Sequence, residues 1–159
     1  MKNKVYIETT VVSYYTASFS RDLVIAGHQQ ATRDFWMKAG HDFEVYISAL
    51  VIKEVKMGDK IQAKKRLEAI ASFPALDIDI NAENLAERIV TGRGIPDKFP
   101  EDALHIAIAA VNEINAIVTW NFAHLNNPFT RMMIRQIVEN EGYICPEIVS
   151  PNEFLGGEP

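Results

Sequence analysis

The chain has 159 residues, of which 48% are apolar, so it is long enough for one ordinary domain with a full hydrophobic core. The 16 Lys and Arg residues against 21 Asp and Glu residues give a net charge of −5, which argues against a broad basic surface that grips phosphates. The single cysteine excludes an internal disulfide and favours a cytoplasmic location. No apolar stretch approaches the length of a membrane span, so we expect no membrane association. The length predicts a single domain over residues 1–159.

Short apolar runs predict strands, and segments with apolar residues three and four apart predict helices. In chain order they are strand 5–7, helix 9–15, helix 21–39 ending near Gly40, strand 45–47, helix 49–57 closed by Gly58, helix 60–71, strand 76–80, a helix capped by Asn81 and ended by Gly92, helix 101–114, strand 116–119, helix 127–141 ended by Gly142, and a short strand 147–149. Strands that alternate with helices predict an α/β protein. We expect three α/β/α layers around a mostly parallel sheet of four or five strands.

Acidic residues follow two of the predicted strands, at the edge of the sheet where parallel α/β proteins form their sites. Glu8 comes directly after strand 5–7, where it either reaches solvent, caps the next helix or binds a metal. Glu54 lies on the helix after the second strand, and no basic residue stands three or four positions away from it. An acid on such an apolar helix face is better explained by a functional role than by solvation.

Two further polar residues have ordinary structural interpretations beside the functional one. Asp102 opens the apolar helix 101–114, where an acid caps the helix and meets the positive end of its dipole. Asn121 follows strand 116–119 and is either a helix cap or a carbonyl that orients a metal-bound water. His105, one turn after Asp102, is interpreted as a core histidine, with support of the carboxylates as the alternative.

Four segments together resemble the PIN-domain nucleases, the family of the VapC-type toxins. Val5-Tyr6-Ile7-Glu8-Thr9-Thr10 resembles the opening strand and turn, and Ser48-Ala49-Leu50-Val51-Ile52-Lys53-Glu54-Val55 resembles the second acidic motif. Asp102-Ala103-Leu104-His105-Ile106-Ala107 is similar to the third motif, and Val118-Thr119-Trp120-Asn121-Phe122 to the fourth. The four motifs occur in the family's order and spacing, and the resemblance covers the chain from Lys4 to about Phe154.

The resemblance implies a PIN-like fold and a metal-dependent endoribonuclease that hydrolyses RNA phosphodiester bonds. Glu8, Glu54 and Asp102 would hold Mg²⁺ or Mn²⁺, Asn121 would orient a ligand water, and Thr10 and Thr119 would support the carboxylates or the substrate. Two departures stand out, because the family usually has Asp where this chain has Glu8, and commonly has Asp where it has Asn121. These departures keep open the alternative of a weak or silent PIN-like module that binds RNA or protein.

The resemblance also implies partners for the chain: a homodimer, and a protein antitoxin of a type II toxin–antitoxin pair. Side chains considered for a dimer face are better assigned to core packing, namely Trp36, Phe129, Met132 and Met133. Basic side chains considered as phosphate contacts are better assigned to the solvated surface, namely Arg33, Lys98, Arg131 and Arg135.

Overall fold

The computed structural model describes residues 2–156, so residue 1 and residues 157–159 of the expected domain lie outside it. In the described part, five strands and eight helices follow one another as β1 (Lys4–Ile7), α1 (Thr9–Thr16), α2 (Leu23–Asp42), β2 (Glu44–Ser48), α3 (Ala49–Val55), α4 (Lys60–Ile70), β3 (Ala75–Leu76), α5 (Ile80–Thr91), α6 (Pro100–Val111), β4 (Ala116–Val118), α7 (Pro128–Asn140), β5 (Glu147–Val149) and α8 (Pro151–Gly156). Each pair of neighbouring strands is parallel, in the order β3-β2-β1-β4-β5.

Strand β1 lies at the centre of the sheet, between β2 and β4. Val5, Tyr6 and Ile7 are all buried, and because successive side chains of a strand point to opposite faces, both faces of the sheet are covered. Helices α1 to α4 and α8 pack against one another, and α5 packs against α6 and α7, so the helices form two groups. The predicted α/β fold with a parallel sheet of four or five strands is confirmed.

The boundaries of α2 differ from the prediction at both ends. The Asp22 carboxylate accepts hydrogen bonds from the backbone N–H groups of Val24 and Ile25, so the helix begins after Asp22 rather than at Arg21. At the other end the helix continues through Gly40 to Asp42. Gly58 and Gly142, in contrast, have φ of 84° and 90° at the predicted ends of their helices.

The predicted strand 76–80 is wrong over most of its length. Strand β3 contains only Ala75 and Leu76, and Ile80 is the first residue of α5. The cap of α5 is Asp79, whose Oδ1 accepts the hydrogen bond of the Ala82 N–H at 2.8 Å, and not Asn81. The apolar residues of this segment imitate a strand, but the capping carboxylate starts the helix two residues earlier than predicted.

Three side chains that the sequence assigned to the core are exposed on helix α7. Phe129 and Met132 are 79% and 70% exposed, and Met133 is also exposed. The buried side of α7 is formed by Ile134 and Val138, one turn apart, which turns the other three side chains away from the core. Trp36 does pack against the core, as predicted, with its ring stacked 3.9 Å from that of Tyr15. Among residues 2–156, no helix combines the length and apolarity needed to cross a membrane.

Candidate metal centre

The parallel sheet brings the ends of β1 and β4 to one edge of the molecule. The Glu8 N–H donates to the Val118 carbonyl at 3.1 Å, which continues the ladder one residue past β1. On the other side of β1, strand β2 ends at Ser48, whose hydroxyl caps α3 by accepting from the Val51 N–H at 3.2 Å. The tight turn from β2 into α3 carries Glu54 back towards the end of β1.

Glu8 is a buried carboxylate, only 4% exposed, with its hydrogen bonds collected on one oxygen. Its Oε1 accepts a very short hydrogen bond from the Thr10 hydroxyl and another from the Thr119 hydroxyl at 2.7 Å. Both threonines are themselves fixed, because Thr10 Oγ1 accepts from the Trp120 N–H and Thr119 Oγ1 accepts from the Asn121 N–H. Burial raises the pKa of Glu8, although these hydroxyls and the charge of His105 oppose the shift.

Glu54 belongs to a chain of hydrogen bonds that runs into the core. Its Oε1 accepts from the Thr9 hydroxyl at 2.6 Å and lies 2.7 Å from Nε2 of His105. The other ring nitrogen of His105 lies 2.6 Å from the Tyr6 hydroxyl, which lies 2.7 Å from the Ser48 hydroxyl. Tyr6 and His105 are fully buried, so this chain holds Glu54 in a fixed position.

The charges of this chain are set by burial and by the neighbouring carboxylates. Burial alone would lower the pKa of His105, but its hydrogen bond to Glu54 and the nearby negative charges outweigh burial, and the pKa is raised. Burial would raise the pKa of Glu54, but the hydrogen bond and charge of His105 outweigh it, and the pKa is lowered. Both shifts favour an imidazolium that donates to a carboxylate.

Glu8 and Glu54 lie close together although they are far apart in the sequence. One oxygen of each carboxylate and one ring nitrogen of His105 all lie within 4.8 Å of one another. Asp102, which the sequence grouped with the two glutamates, is not part of this compact set among residues 2–156. It lies at the border of the set, near enough for its charge to raise the pKa of His105.

Asp102 has a histidine partner of its own. Its Oδ2 lies 3.0 Å from Nδ1 of His124, in the segment after β4. Burial raises the pKa of Asp102, while the charges of His124 and His105 and the side chain of Asn121 oppose that shift. Asp102 thus lies in the first turn of α6, as predicted, but its carboxylate faces the site rather than capping the helix.

Asn121 uses its side-chain carbonyl within its own loop. The Oδ1 atom accepts a hydrogen bond from the His124 backbone N–H at 3.0 Å, which forms a tight turn after β4. The side chain also stabilises the ionised form of Asp102. In this structure, Asn121 therefore fixes the loop and supports Asp102, and its orientation of a ligand water stays a prediction.

Three residues of the site were missed or undervalued in the sequence. Thr9 and His124 contact Glu54 and Asp102, and His105 proves to be both a buried core histidine and the partner of Glu54. A signal existed for His105, which follows Asp102 by one helical turn. For Thr9 and His124 the contacts depend on how α1, α6 and the loop after β4 pack, which spacing along the chain does not reveal.

The donor chemistry of the cluster fits a hard divalent cation. Hydrogen bonds converge on Oε1 in both glutamates, so Oε2 of each is available to a cation such as Mg²⁺ or Mn²⁺. Both ring nitrogens of His105 are already hydrogen-bonded, so we assign it to positioning Glu54 rather than to ligation. In the described part of the chain, the ion pairs that reach these acids come from histidines, with no Arg or Lys within 4.0 Å.

The fold and the site together define an α/β protein with a cluster of one buried and two half-buried carboxylates at the carboxyl ends of its central strands. No family model matches the chain, and no curated protein matches it in sequence. Among solved structures, it is similar to a chain in the crystal structure of VapBC2 from Rickettsia felis bound to a DNA fragment from their promoter. The two share 13% identity, with a TM-score of 0.59 over 92% of this chain and 98% of that chain. The PIN-like fold implied by the sequence motifs is thus confirmed as a likeness in structure.

Proposed function

We propose that the protein is a divalent-metal-dependent endoribonuclease whose metal centre is formed by Glu8, Glu54 and Asp102. One observation carries this proposal, namely the convergence of Glu8 and Glu54 on a single point beside His105. Two like charges this close together repel, and Glu8 is buried, so the arrangement is explained if a cation lies between them. The fold similarity to a chain of VapBC2 supports the same assignment.

Each residue of the cluster has a distinct task in this proposal. A bound divalent cation supplies an activated water and neutralises charge on the phosphoryl oxygens. Glu8 and Glu54 offer their Oε2 atoms to it, while the threonine hydroxyls and His105 keep both carboxylates from rotating. Asp102, at the border of the cluster, completes the ligand set directly or through a metal-bound water, and His124 orients it.

Matched carboxylate variants test the proposal by RNA cleavage in Mg²⁺ or Mn²⁺. We expect Glu54→Gln and Asp102→Asn to lower the rate by about 100-fold or more, which is the loss seen when one electrostatic stabilising group is removed. The controls are Glu68→Gln on α4 and Glu101→Gln, the exposed neighbour of Asp102, and both should cleave like the native protein. Equal cleavage by all five proteins, or cleavage unaffected by EDTA, would refute the assignment.

One observation favours a second function, that of a binding module without catalysis. Glu54 and Asp102 are each already paired with a histidine, so their charges are partly compensated without a cation. Calorimetric titration with Mn²⁺ separates the two functions. A divalent site that Glu54→Gln abolishes supports the enzyme, whereas heat-silent titrations of both proteins support the module.

We also propose that the protein is the toxin of a type II toxin–antitoxin pair and is held by a protein antitoxin. The support is its fold similarity to a chain of VapBC2, together with exposed Phe129 and Met132 on α7, which offer an apolar surface to an antitoxin or a second copy of the chain. Induction in a bacterial host should stop growth with the native chain but not with Glu54→Gln. Equal growth of both strains would contradict the toxin role and leave the nuclease assay as an independent test.

A further inference from the structure

Two exposed phenylalanine rings stand at the border of the metal centre. Phe99 is the residue that precedes α6 and is 38% exposed, and Phe122 follows Asn121 and is 46% exposed. Single exposed apolar side chains are ordinary on protein surfaces. These two are distinguished by what supports them, because each ring rests on an aromatic residue that is itself bound to the site.

Phe99 is linked to the site through His124. The two rings are stacked, with centroids 3.8 Å apart and planes 27° from parallel. His124 in turn lies 3.0 Å from Asp102, so the position of the Phe99 ring is fixed relative to that carboxylate. The ring is thereby held beside the His124–Asp102 pair, while more than a third of the residue is exposed to solvent.

Phe122 is linked to the site through Trp120. The two rings meet edge to face with centroids 5.9 Å apart. Trp120 is almost fully buried and doubly anchored: its indole N–H donates to Thr32 Oγ1 at 2.8 Å, and its backbone N–H donates to Thr10 Oγ1 at 2.9 Å. Because Thr10 also donates to Glu8, Phe122 is connected to the buried carboxylate through two intervening residues, Trp120 and Thr10.

Most of the basic side chains considered as phosphate contacts are already engaged with other groups of the protein. The net charge of the chain is −5. Arg131 and Arg135 pair with Glu153 and Glu147, and Arg33 lies over the ring of Phe19. Aromatic stacking is independent of phosphate charge and strengthens binding by about tenfold or more for each base.

We propose that Phe99 and Phe122 stack on the bases of the nucleotides next to the phosphodiester bond that is cleaved. The inference rests on the proposed nuclease function and adds to it a pair of substrate-positioning residues. Each ring has an edge or face against a fixed aromatic partner, and both residues remain partly exposed and so accessible to an unpaired base. A base in a duplex is already stacked on both faces, so these positions accept nucleotides only from a single strand.

Leucine variants test the two positions, because leucine keeps an apolar side chain but removes the ring. Binding of a short fluorescein-labelled single-stranded RNA is measured by anisotropy in the Glu54→Gln background, which prevents cleavage. We expect Phe99→Leu and Phe122→Leu each to weaken binding by about tenfold. Phe19→Leu is the matched control, since Phe19 is also exposed, in the segment before α2, and it should bind like the parent protein.

Binding to abasic RNA distinguishes base stacking from a purely structural role of the two rings. If each ring stacks on a base, removing that base from the oligonucleotide weakens binding by the parent protein about as much as removing the ring. A leucine variant bound to RNA that lacks the corresponding base should therefore show one such loss of affinity and not the sum of two. Leucine variants that bind intact RNA like the parent, or lose the same factor on abasic and intact RNA, would overturn the inference.

The outcomes also separate this inference from the function on which it rests. Native protein that cleaves RNA while both leucine variants bind and cleave normally would overturn the stacking positions alone. Native protein that neither binds nor cleaves RNA would overturn both. In active leucine variants we expect the KM to rise by about tenfold with a smaller change in kcat, since the rings hold the substrate and do not touch the reacting atoms.

Discussion

The Glu8 carboxylate is a residue whose surroundings favour function over stability. It is buried, and burial raises its pKa, so in the folded protein without a cation the ionised form is held at a cost. The folded state then binds a proton more tightly than the unfolded chain does. The stability that this provides is present at pH values below the ordinary glutamate pKa and is lost as the pH rises through the raised folded value.

A substitution that removes the charge but keeps the hydrogen-bond acceptor should therefore stabilise the metal-free protein. We expect Glu8→Gln to unfold like the native chain at pH 4.5 but to be more stable by about 1 to 3 kcal/mol at pH 7.5, in EDTA. Urea unfolding at both pH values measures the difference. Glu68→Gln, at an exposed position, should change the free energy of unfolding by the same small amount at both pH values. A Glu8→Gln variant less stable than the native chain at pH 7.5 would contradict the role of burial.

At the scale of single elements, α5 shows how one side chain decides where a helix begins. Asp79 accepts the Ala82 N–H, whereas Asn81 lies inside the helix and is exposed. We expect Asp79→Ala to lower the free energy of unfolding by about 1 kcal/mol through loss of the cap. Asn81→Ala, the cap that the sequence indicated, should leave it unchanged or raise it slightly, because alanine favours helix interiors. Urea unfolding measures both variants. A midpoint for Asn81→Ala below that of Asp79→Ala would show that the cap is misassigned.

The elements predicted correctly are those whose own residues show a clear pattern of burial. The buried run Val5-Tyr6-Ile7 and the apolar helix after Asp102 could be identified because their burial on all sides leaves few polar residues. Strand β3 was predicted too long because residues 76–80 alternate apolar and acidic side chains as a strand does, although only Ala75 and Leu76 pair. The capping carboxylate of Asp79 was the distinguishing feature, and capping depends on backbone geometry as well as on residue type.

The site was predictable to a similar degree and for a similar reason. Glu8 and Glu54 could be singled out because an acid after a buried strand, or on an apolar helix face, lacks a local explanation. The pairing of Glu54 with His105, and of Asp102 with His124, could not be read from spacing, since each pair joins separate elements. That pairing also explains why Asp102 lies at the border of the cluster rather than inside it.

At the scale of the whole molecule, the cluster is an acidic centre in a chain that already carries an excess of negative charge. Bringing carboxylates together at the end of the sheet opposes folding, and a positive charge on His105, which its raised pKa favours, reduces this repulsion. A cation that binds the folded state and not the unfolded chain removes the remaining repulsion. Its binding free energy is therefore added to the stability of the fold.

This linkage predicts that Mg²⁺ or Mn²⁺ raises the unfolding temperature of the native protein. At about 100 times the dissociation constant the gain is about 2.7 kcal/mol, or roughly 5 to 10 °C for a chain of this length. Glu54→Gln and Glu8→Gln should lose most of the shift, whereas Glu68→Gln should retain it. Sodium chloride at equal ionic strength controls for screening. Glu8→Gln gains stability in EDTA but gains none from the cation. Its melting temperature should therefore be higher than the native value in EDTA, and equal to or lower than the native value with Mg²⁺ or Mn²⁺. Native protein whose melting temperature is the same in EDTA and in Mn²⁺ would show that the acids meet for another reason.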